Sequence, residues 1–167
     1  RADHVMAGLG GRIDLVLDGG PCQVGMESTI IGVDGDELVL LRPGGIPTEL
    51  IAEKTGRTVR IHKPDDGINA PGQIKSHYAP KARLRLNAPA PEPGEGYLAF
   101  GPNNPGGLNL SPSGDLVEAA TKLFAMLRAL DARYERIAVA PIPEHGLGEA
   151  INDRLNRAAY RDGDEAA

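Results

Sequence analysis

The segment HKPDDGINAPGQIKSHYAPKA, residues 62–82, limits how this chain can fold more than any other. Its three prolines and two glycines interrupt every helical or alternating pattern in the stretch. Proline removes a backbone donor and disfavours a helix in the residue before it. The segment is therefore predicted to be a linker or an ordered loop. It divides the chain into residues 1–61, the linker 62–82, and residues 83–167.

Turn chemistry predicts a hairpin and a short helix before the linker. The runs STIIGV (28–33) and LVLLRPGG (38–45) flank an Asp-Gly turn, which is typical of two antiparallel strands. PTELIAEKTG (47–56) is predicted to be a helix with Pro47 at its first position and Gly56 just past its end. TVRI (58–61) is predicted to be a last short strand.

The first twenty residues give two weaker predictions. RADHVMAGLGG (1–11) has the spacing of a helix end, because its apolar residues recur at helical intervals before a glycine pair. RIDLVLDGG (12–20) is an apolar run that predicts a buried strand. The helix has no clear start, so we expect the chain to be cut from something longer.

Residues 83–167 return to regular patterns after the linker. Their order of strand, strand, helix, strand, helix predicts a small α/β layer structure with a partly parallel sheet. The predicted strands are 82–86, 96–101 and 136–142, and the predicted helices are 114–130 and 147–160.

Composition and charge exclude several classes of protein. A net charge of −5 argues against a nucleic-acid binder held by bulk electrostatics. Residues 62–90 alone are net positive, with five basic and two acidic residues, and would best receive an anionic ligand. The lone Cys22, the widely spaced histidines and the lack of an 18-residue apolar run predict a cytoplasmic protein with no disulfide, metal cluster or membrane span.

Three motifs supply the candidate site residues. If the hairpin forms, Ser28, Thr29 and Arg42 fall at its open end and could bind a small polar anion. The alternative is a solvated strand end beside a surface arginine. In the linker, His77 and Tyr78 either contact a ligand or fix the linker to one domain. GLGEA (146–150) lacks a complete phosphate-loop pattern and is predicted to start a helix.

Together and in this order, these motifs resemble one family. RADHVMAGLGGRIDLVLDGGPCQVGMESTIIGV, LLRPGGIPTEL and APGQIKSHYAPKA resemble the two-domain form of threonylcarbamoyl-AMP synthase, and GLGEAINDRLNRAAY resembles its closing helix. The resemblance is weakest over 83–135. It implies the end of a YrdC-like twisted α/β sheet domain at 1–61, a linker over the active site at 62–82, and a small Rossmann-like α/β domain at 83–167.

The resemblance also implies a reaction and its site. The family makes threonylcarbamoyl-AMP and pyrophosphate from ATP, L-threonine and bicarbonate, for modification of adenosine 37 in tRNA. By resemblance, Ser28 contacts threonine, and Arg42 and His77 bind ATP, which Mg²⁺ is expected to accompany. No covalent catalyst, protein metal site or prosthetic group is implied. The resemblance further implies that the product passes to a tRNA threonylcarbamoyl transferase complex. It allows a weak contact of the protein with RNA and implies no contact with a membrane.

The chain departs from the family pattern in two ways. The N-terminal half of the first domain is missing, so we do not expect this chain alone to catalyse the reaction. Lys75 stands where some relatives have a tyrosine, so a linker-tyrosine role is not carried over. The competing hypothesis is a non-catalytic module that senses a nucleotide or docks a partner of the tRNA-modification machinery.

Overall fold

A computed structural model describes residues 2–63, 70–71 and 80–160 of the chain. The described residues form two units, each built on its own sheet. We call residues 2–61 the N-terminal unit and residues 80–160 the C-terminal unit. The helices are α1 (Ala2–Leu9), α2 (Thr48–Thr55), α3 (Leu116–Asp131) and α4 (Leu147–Ala159). The strands are β1 (Ile30–Asp34), β2 (Glu37–Arg42), β3 (Val59–Ile61), β4 (Arg83–Arg85), β5 (Gly96–Ala99), β6 (Leu108–Asn109) and β7 (Arg136–Val139).

The N-terminal unit contains the predicted hairpin. Strands β1 and β2 pair antiparallel, and β3 pairs with β2 in parallel, giving the order β1-β2-β3. Gly35 turns between β1 and β2 with a φ of 58°, a backbone angle that favours glycine. The central β2 supplies the buried side chains of this sheet, Leu38, Val39 and Leu40.

The predicted helix over 47–56 is found as α2, with one change at its start. Gly56 ends the helix in the left-handed conformation and its N–H bonds to the carbonyl of Ala52, as expected of a glycine past the last turn. Pro47 lies at the cap rather than at the first helical position. The fixed φ of proline suits either position.

Residues 12–20 do not form the predicted buried strand. Helix α1 is present and ends at the glycine pair, where the Gly10 N–H bonds to the carbonyl of Met6. The following residues make a single bridge between Gly10 and Ile13, and Leu15 and Leu17 are 74% and 87% exposed. The prediction failed because an apolar run becomes a buried strand only beside a partner, and within the described ranges no strand pairs with it.

The C-terminal unit is a four-stranded sheet in the order β4-β7-β5-β6, and every pair in it is parallel. The predicted sheet was only partly parallel, and β6 was not predicted because two residues carry too little periodicity. Helices α3 and α4 cover one face, where Leu98, Ile137 and Val139 pack against them. The alternate residues Tyr97, Ala99 and Ala138 form a second cluster on the other face, as the period of two in a strand requires.

None of the helices in the described part of the chain combines the length and the apolar character that a membrane span needs.

Candidate functional site

The open end of the hairpin brings two predicted site residues together. Ile30 pairs with Arg42, and the register shifts between Ile30 and Ile31. The residues just before β1 therefore lie beside the last residue of β2. This is the arrangement that the hairpin prediction required of Ser28 and Arg42.

Arg42 binds Ser28 through several hydrogen bonds. Its Nε and Nη2 donate to the Ser28 carbonyl oxygen at 3.2 and 2.9 Å, and Nη2 also reaches the Ser28 hydroxyl at 3.2 Å. Its Nη1 donates to the carbonyl oxygen of Pro71, a linker residue, at 3.3 Å. All these acceptors are neutral oxygens, so these bonds leave the guanidinium charge unbalanced. Ser28 is exposed, so its hydroxyl also remains accessible beside that charge.

The glycines after Arg42 let the second loop lie directly on the first. The Gly45 N–H donates to the Glu27 carbonyl oxygen at 2.8 Å. Gly44 is buried, and a Cβ placed on it would lie 2.5 Å from the carbonyl carbon of Ser28 and still closer to Glu27 O and Thr29 N. A glycine is required here because backbone packs against backbone.

Thr29 lies at the open end of the hairpin, as predicted, but its hydroxyl has a different role. Its hydroxyl donates to the carbonyl oxygen of Ile46 at 2.7 Å and accepts from the Ile46 N–H at 3.0 Å. The hydroxyl thus connects β1 to the loop after β2, instead of facing a ligand. The sequence could not distinguish these roles, because both place a small hydroxyl side chain at a strand end.

The third predicted site residue, His77, and its neighbour Tyr78 lie outside the described residues. Within the linker, the structure describes Ala70 and Pro71 in addition to the residues at its two ends. Ala70 is buried, and Pro71 contacts Arg42 as above. Pro71 therefore lies against the hairpin end.

The segment before Ser28 packs on the C-terminal unit. Val24 and Met26 join the apolar core formed under α3 and α4. Between them, Gly25 has a φ of 71°, and a Cβ there would lie 2.8 Å from the Cα of Thr121 in α3. The Thr121 hydroxyl donates to the Gln23 carbonyl oxygen at 2.9 Å. The motif VGMEST is thus an interface segment that also contains the site residue Ser28.

Sequence reasoning missed Arg154, a charged residue in the middle of α4. Its side chain is 1% exposed and lies 2.9 Å from a Glu27 carboxylate oxygen. The Nη2 atom also donates to the Pro43 carbonyl oxygen at 3.1 Å, and Nη1 pairs with Asp153. A signal was present in the sequence, because Arg154 falls on the apolar face of α4 between Ile151 and Ala158.

A second polar contact joins the two units at the start of α4. The Thr48 hydroxyl donates to Glu149 at 2.6 Å, and the Glu49 carboxylate accepts from the Gly146 N–H at 3.0 Å. The hydrogen bond from Gly146 lowers the pKa of Glu49 below its ordinary value. GLGEA is therefore a helix start, as predicted, and its cap receives a carboxylate from α2.

An apolar cavity of about 620 Å³ lies beside the hairpin end. It runs between α1, the segment from Pro21 to Glu27 and α3, and its lining does not include Ser28 or Arg42. Cys22 is exposed with a free thiol, as a residue of that lining. No group of three His, Cys, Asp or Glu residues within 2–63, 70–71 and 80–160 could hold a metal ion.

Sequence comparisons match this arrangement to one family. A family model described as "Threonylcarbamoyl-AMP synthase, C-terminal domain" matches residues 46–160. The threonylcarbamoyl-AMP synthases of Pyrococcus abyssi and Bacillus subtilis are each 34% identical to this chain, over 96% and 95% of it. The Schizosaccharomyces pombe protein of the same name is 32% identical over 95%. The chain spans about half the length of these relatives: 54%, 52% and 48% respectively.

Two solved structures of the P. abyssi protein share the fold. The complex of P. abyssi Sua5 with L-threonine superposes with a TM-score of 0.78 at 29% identity, covering 95% of this chain and 53% of that one. A variant in which an adjacent histidine and tyrosine are both replaced by alanine gives a TM-score of 0.68 at 28% identity, with coverages of 96% and 51%.

Proposed function

Because this chain belongs to the threonylcarbamoyl-AMP synthase family, we propose that it is the C-terminal portion of an enzyme that makes threonylcarbamoyl-AMP and pyrophosphate from ATP, L-threonine and bicarbonate. The proposal covers the complete gene product, since the chain spans about half of each relative. Within this chain, the proposed parts are residues 1–61 of the YrdC-like domain, the linker 62–82 and the Rossmann-like domain 83–167.

The contact between Ser28 and Arg42 is the observation that carries the proposal. An exposed hydroxyl next to an arginine whose hydrogen bonds all go to neutral oxygens suits a ligand with both a polar amino acid part and anionic oxygens. We assign Ser28 to threonine and Arg42 to the ATP phosphates. A solved relative with L-threonine bound supports the first assignment.

The chemistry needs positioning more than a nucleophile from the protein. The amino group of threonine condenses with bicarbonate, with loss of water, to give a carbamate, whose oxygen attacks the α-phosphate of ATP and displaces pyrophosphate. Fixed cations that neutralise the phosphates and fixed donors that orient the carbamate would supply most of the rate. Mg²⁺ would bind to the nucleotide phosphates. Arg42 fits the first role, and Ser28 fits the second.

His77 completes the proposed nucleotide site from the linker. The chain contains one adjacent His-Tyr pair, His77-Tyr78. Such a pair is the position changed to alanine in a solved variant of the P. abyssi protein. Pro71 bonds to Arg42, which supports a linker that runs past the nucleotide. We further propose that the product passes to a tRNA threonylcarbamoyl transferase complex in the cytoplasm.

The test is the release of pyrophosphate by the complete gene product, dependent on both threonine and bicarbonate. Ser28→Ala should raise the KM for threonine by roughly 3- to 10-fold, the worth of one hydrogen bond. Arg42→Gln should weaken ATP binding by roughly 10- to 100-fold, because a hydrogen bond to a charged group is stronger. His77→Ala should also raise the KM for ATP. Arg57→Gln, at an exposed arginine of the same unit, is the control.

The same assay separates the enzyme from a non-catalytic sensor. A sensor would bind ATP or a partner and release no pyrophosphate when threonine is added. Absence of threonine-dependent release from the unmodified gene product would rule out the proposed reaction. Normal ATP binding by both Arg42→Gln and His77→Ala would be compatible with the reaction but would overturn the assignment of these two residues to the nucleotide site.

A further inference from the structure

Arg154 is the most deeply buried charged side chain described in the molecule, at 1% exposure. An arginine removed from water costs free energy unless its donors and its charge are matched. Here Nε and Nη2 bond one Glu27 oxygen at 3.0 and 2.9 Å, and Nη1 pairs with Asp153. The side chain is therefore well matched, and its partners include residues of the other unit.

The residues that Arg154 contacts are the sequence neighbours of the candidate site. Glu27 immediately precedes Ser28, and Pro43, whose carbonyl oxygen accepts at 3.1 Å, immediately follows Arg42. One side chain of the C-terminal unit thus touches both loops of the hairpin end. Arg154 is separated from them by 127 and 111 residues of sequence.

Arginine is the residue type that this geometry requires. Its planar fork has donors at fixed angles, so Glu27 and Pro43 can be held at one distance from each other. Gly44, which follows Pro43, packs directly on the Glu27–Thr29 backbone. A lysine would supply the charge without the fork.

We infer that Arg154 is a positioning residue of the substrate site: from the C-terminal unit, it holds the Glu27 and Pro43 loops in the register that sets Ser28 beside Arg42. The predicted effect on threonine binding rests on the proposed function. The predicted effect on the packing of the two loops rests on geometry alone. The C-terminal unit then acts on threonine binding without touching the substrate. The two consequences are measured separately.

Amide hydrogen exchange in the complete gene product tests the structural consequence. The reporter amides are Gly45, which donates to Glu27, and Ile46, which donates to Thr29. Arg154→Gln should speed their exchange at least tenfold and leave the amides of β5 and β7 unchanged. Arg85→Gln is the matched control, because it breaks an ion pair with the buried Glu95 inside the C-terminal unit. It should leave both reporters within twofold.

Steady-state kinetics test the positioning consequence. Arg154→Gln should raise the KM for threonine by roughly 3- to 10-fold, the range expected for Ser28→Ala, with kcat within about threefold, since Ser28 is displaced but the folded enzyme still turns over. Arg154→Lys should recover part of the loss, to a KM within about threefold of the original. A merely stabilising arginine would instead lower kcat through loss of folded enzyme, with KM unchanged.

Each result decides one question. Exchange at Gly45 and Ile46 within twofold of the unmodified protein would overturn the inference, as would an unchanged threonine KM with a reduced kcat. If Arg154→Gln does not fold, Glu27→Gln must accelerate the same two amides, and failure to do so overturns the inference. If the unmodified gene product shows no activity while the exchange results hold, the proposed function fails and the structural coupling stands.

Discussion

Replacing Gly44 with alanine should separate the two loops of the site. The added Cβ would lie 2.5 Å from the carbonyl carbon of Ser28, about 1 Å inside an ordinary carbon–carbon contact. The obstructing atoms are all backbone, in Glu27, Ser28 and Thr29, so no flexible side chain can move aside. The loop itself must shift.

The magnitude follows from two costs. Overpacking at a closely packed point costs about 1–3 kcal/mol. A shift of the loop also breaks the bond from the Gly45 N–H to Glu27, worth about 1 kcal/mol. We expect the free energy of unfolding to fall by about 3 kcal/mol.

The assay is urea and thermal denaturation of the complete gene product, with Gly45→Ala as the neighbouring control. A Cβ on Gly45 would make only ordinary contacts, with the side chain of Val24 at 3.4 Å and with the carbonyl oxygens of Glu27 and Met26 at 3.8 and 3.9 Å. Less than about 1 kcal/mol should therefore be lost. If Gly44→Ala costs no more than Gly45→Ala, the two loops do not pack as described. The basis for the Ser28–Arg42 site would then be lost.

Two further perturbations test the contacts around the site and in the second sheet. Since the bond from Gly146 lowers the folded-state pKa of Glu49, its stabilising effect is full above the ordinary glutamate pKa, about 4.3, and is lost as pH falls through the lower folded value. The urea midpoint of the unmodified protein should therefore drop more steeply between about pH 5 and about pH 3, around that pKa, than the midpoint of Glu49→Gln. Parallel curves for the two proteins would contradict the contact. Tyr97→Phe should cost about 1 kcal/mol, because the buried hydroxyl donates to the carbonyl oxygens of Ala88 and Pro89, each at 3.1 Å; equal midpoints in urea would show that water replaces those bonds.

Local patterns predicted the parts of the fold that depend on near neighbours. The Asp-Gly turn set the β1–β2 hairpin, and the hairpin register then brought Ser28 to Arg42. Gly56 ended α2 where a left-handed residue was needed. These features need only a few residues of context, and the sequence contains that context.

Features that depend on distant partners were not predictable from pattern alone. Residues 12–20 look like a buried strand, but their exposure depends on pairing that a hydrophobic run does not encode. The local pattern around Glu27 does not indicate its partner, because Arg154 lies 127 residues away. Arg154 could have been found from the sequence, because it is a charged residue on the apolar face of the predicted helix α4.

The position of Val24 and Met26 has a consequence for how the molecule unfolds. These side chains belong by sequence to the N-terminal unit but help to form the core of the C-terminal unit. Melting the N-terminal unit therefore uncovers apolar surface in the other unit and leaves the Arg154 charge without Glu27. Each unit raises the cost of losing the other, so heating should produce one cooperative transition rather than two. A C-terminal unit produced alone would then lack part of its own interior.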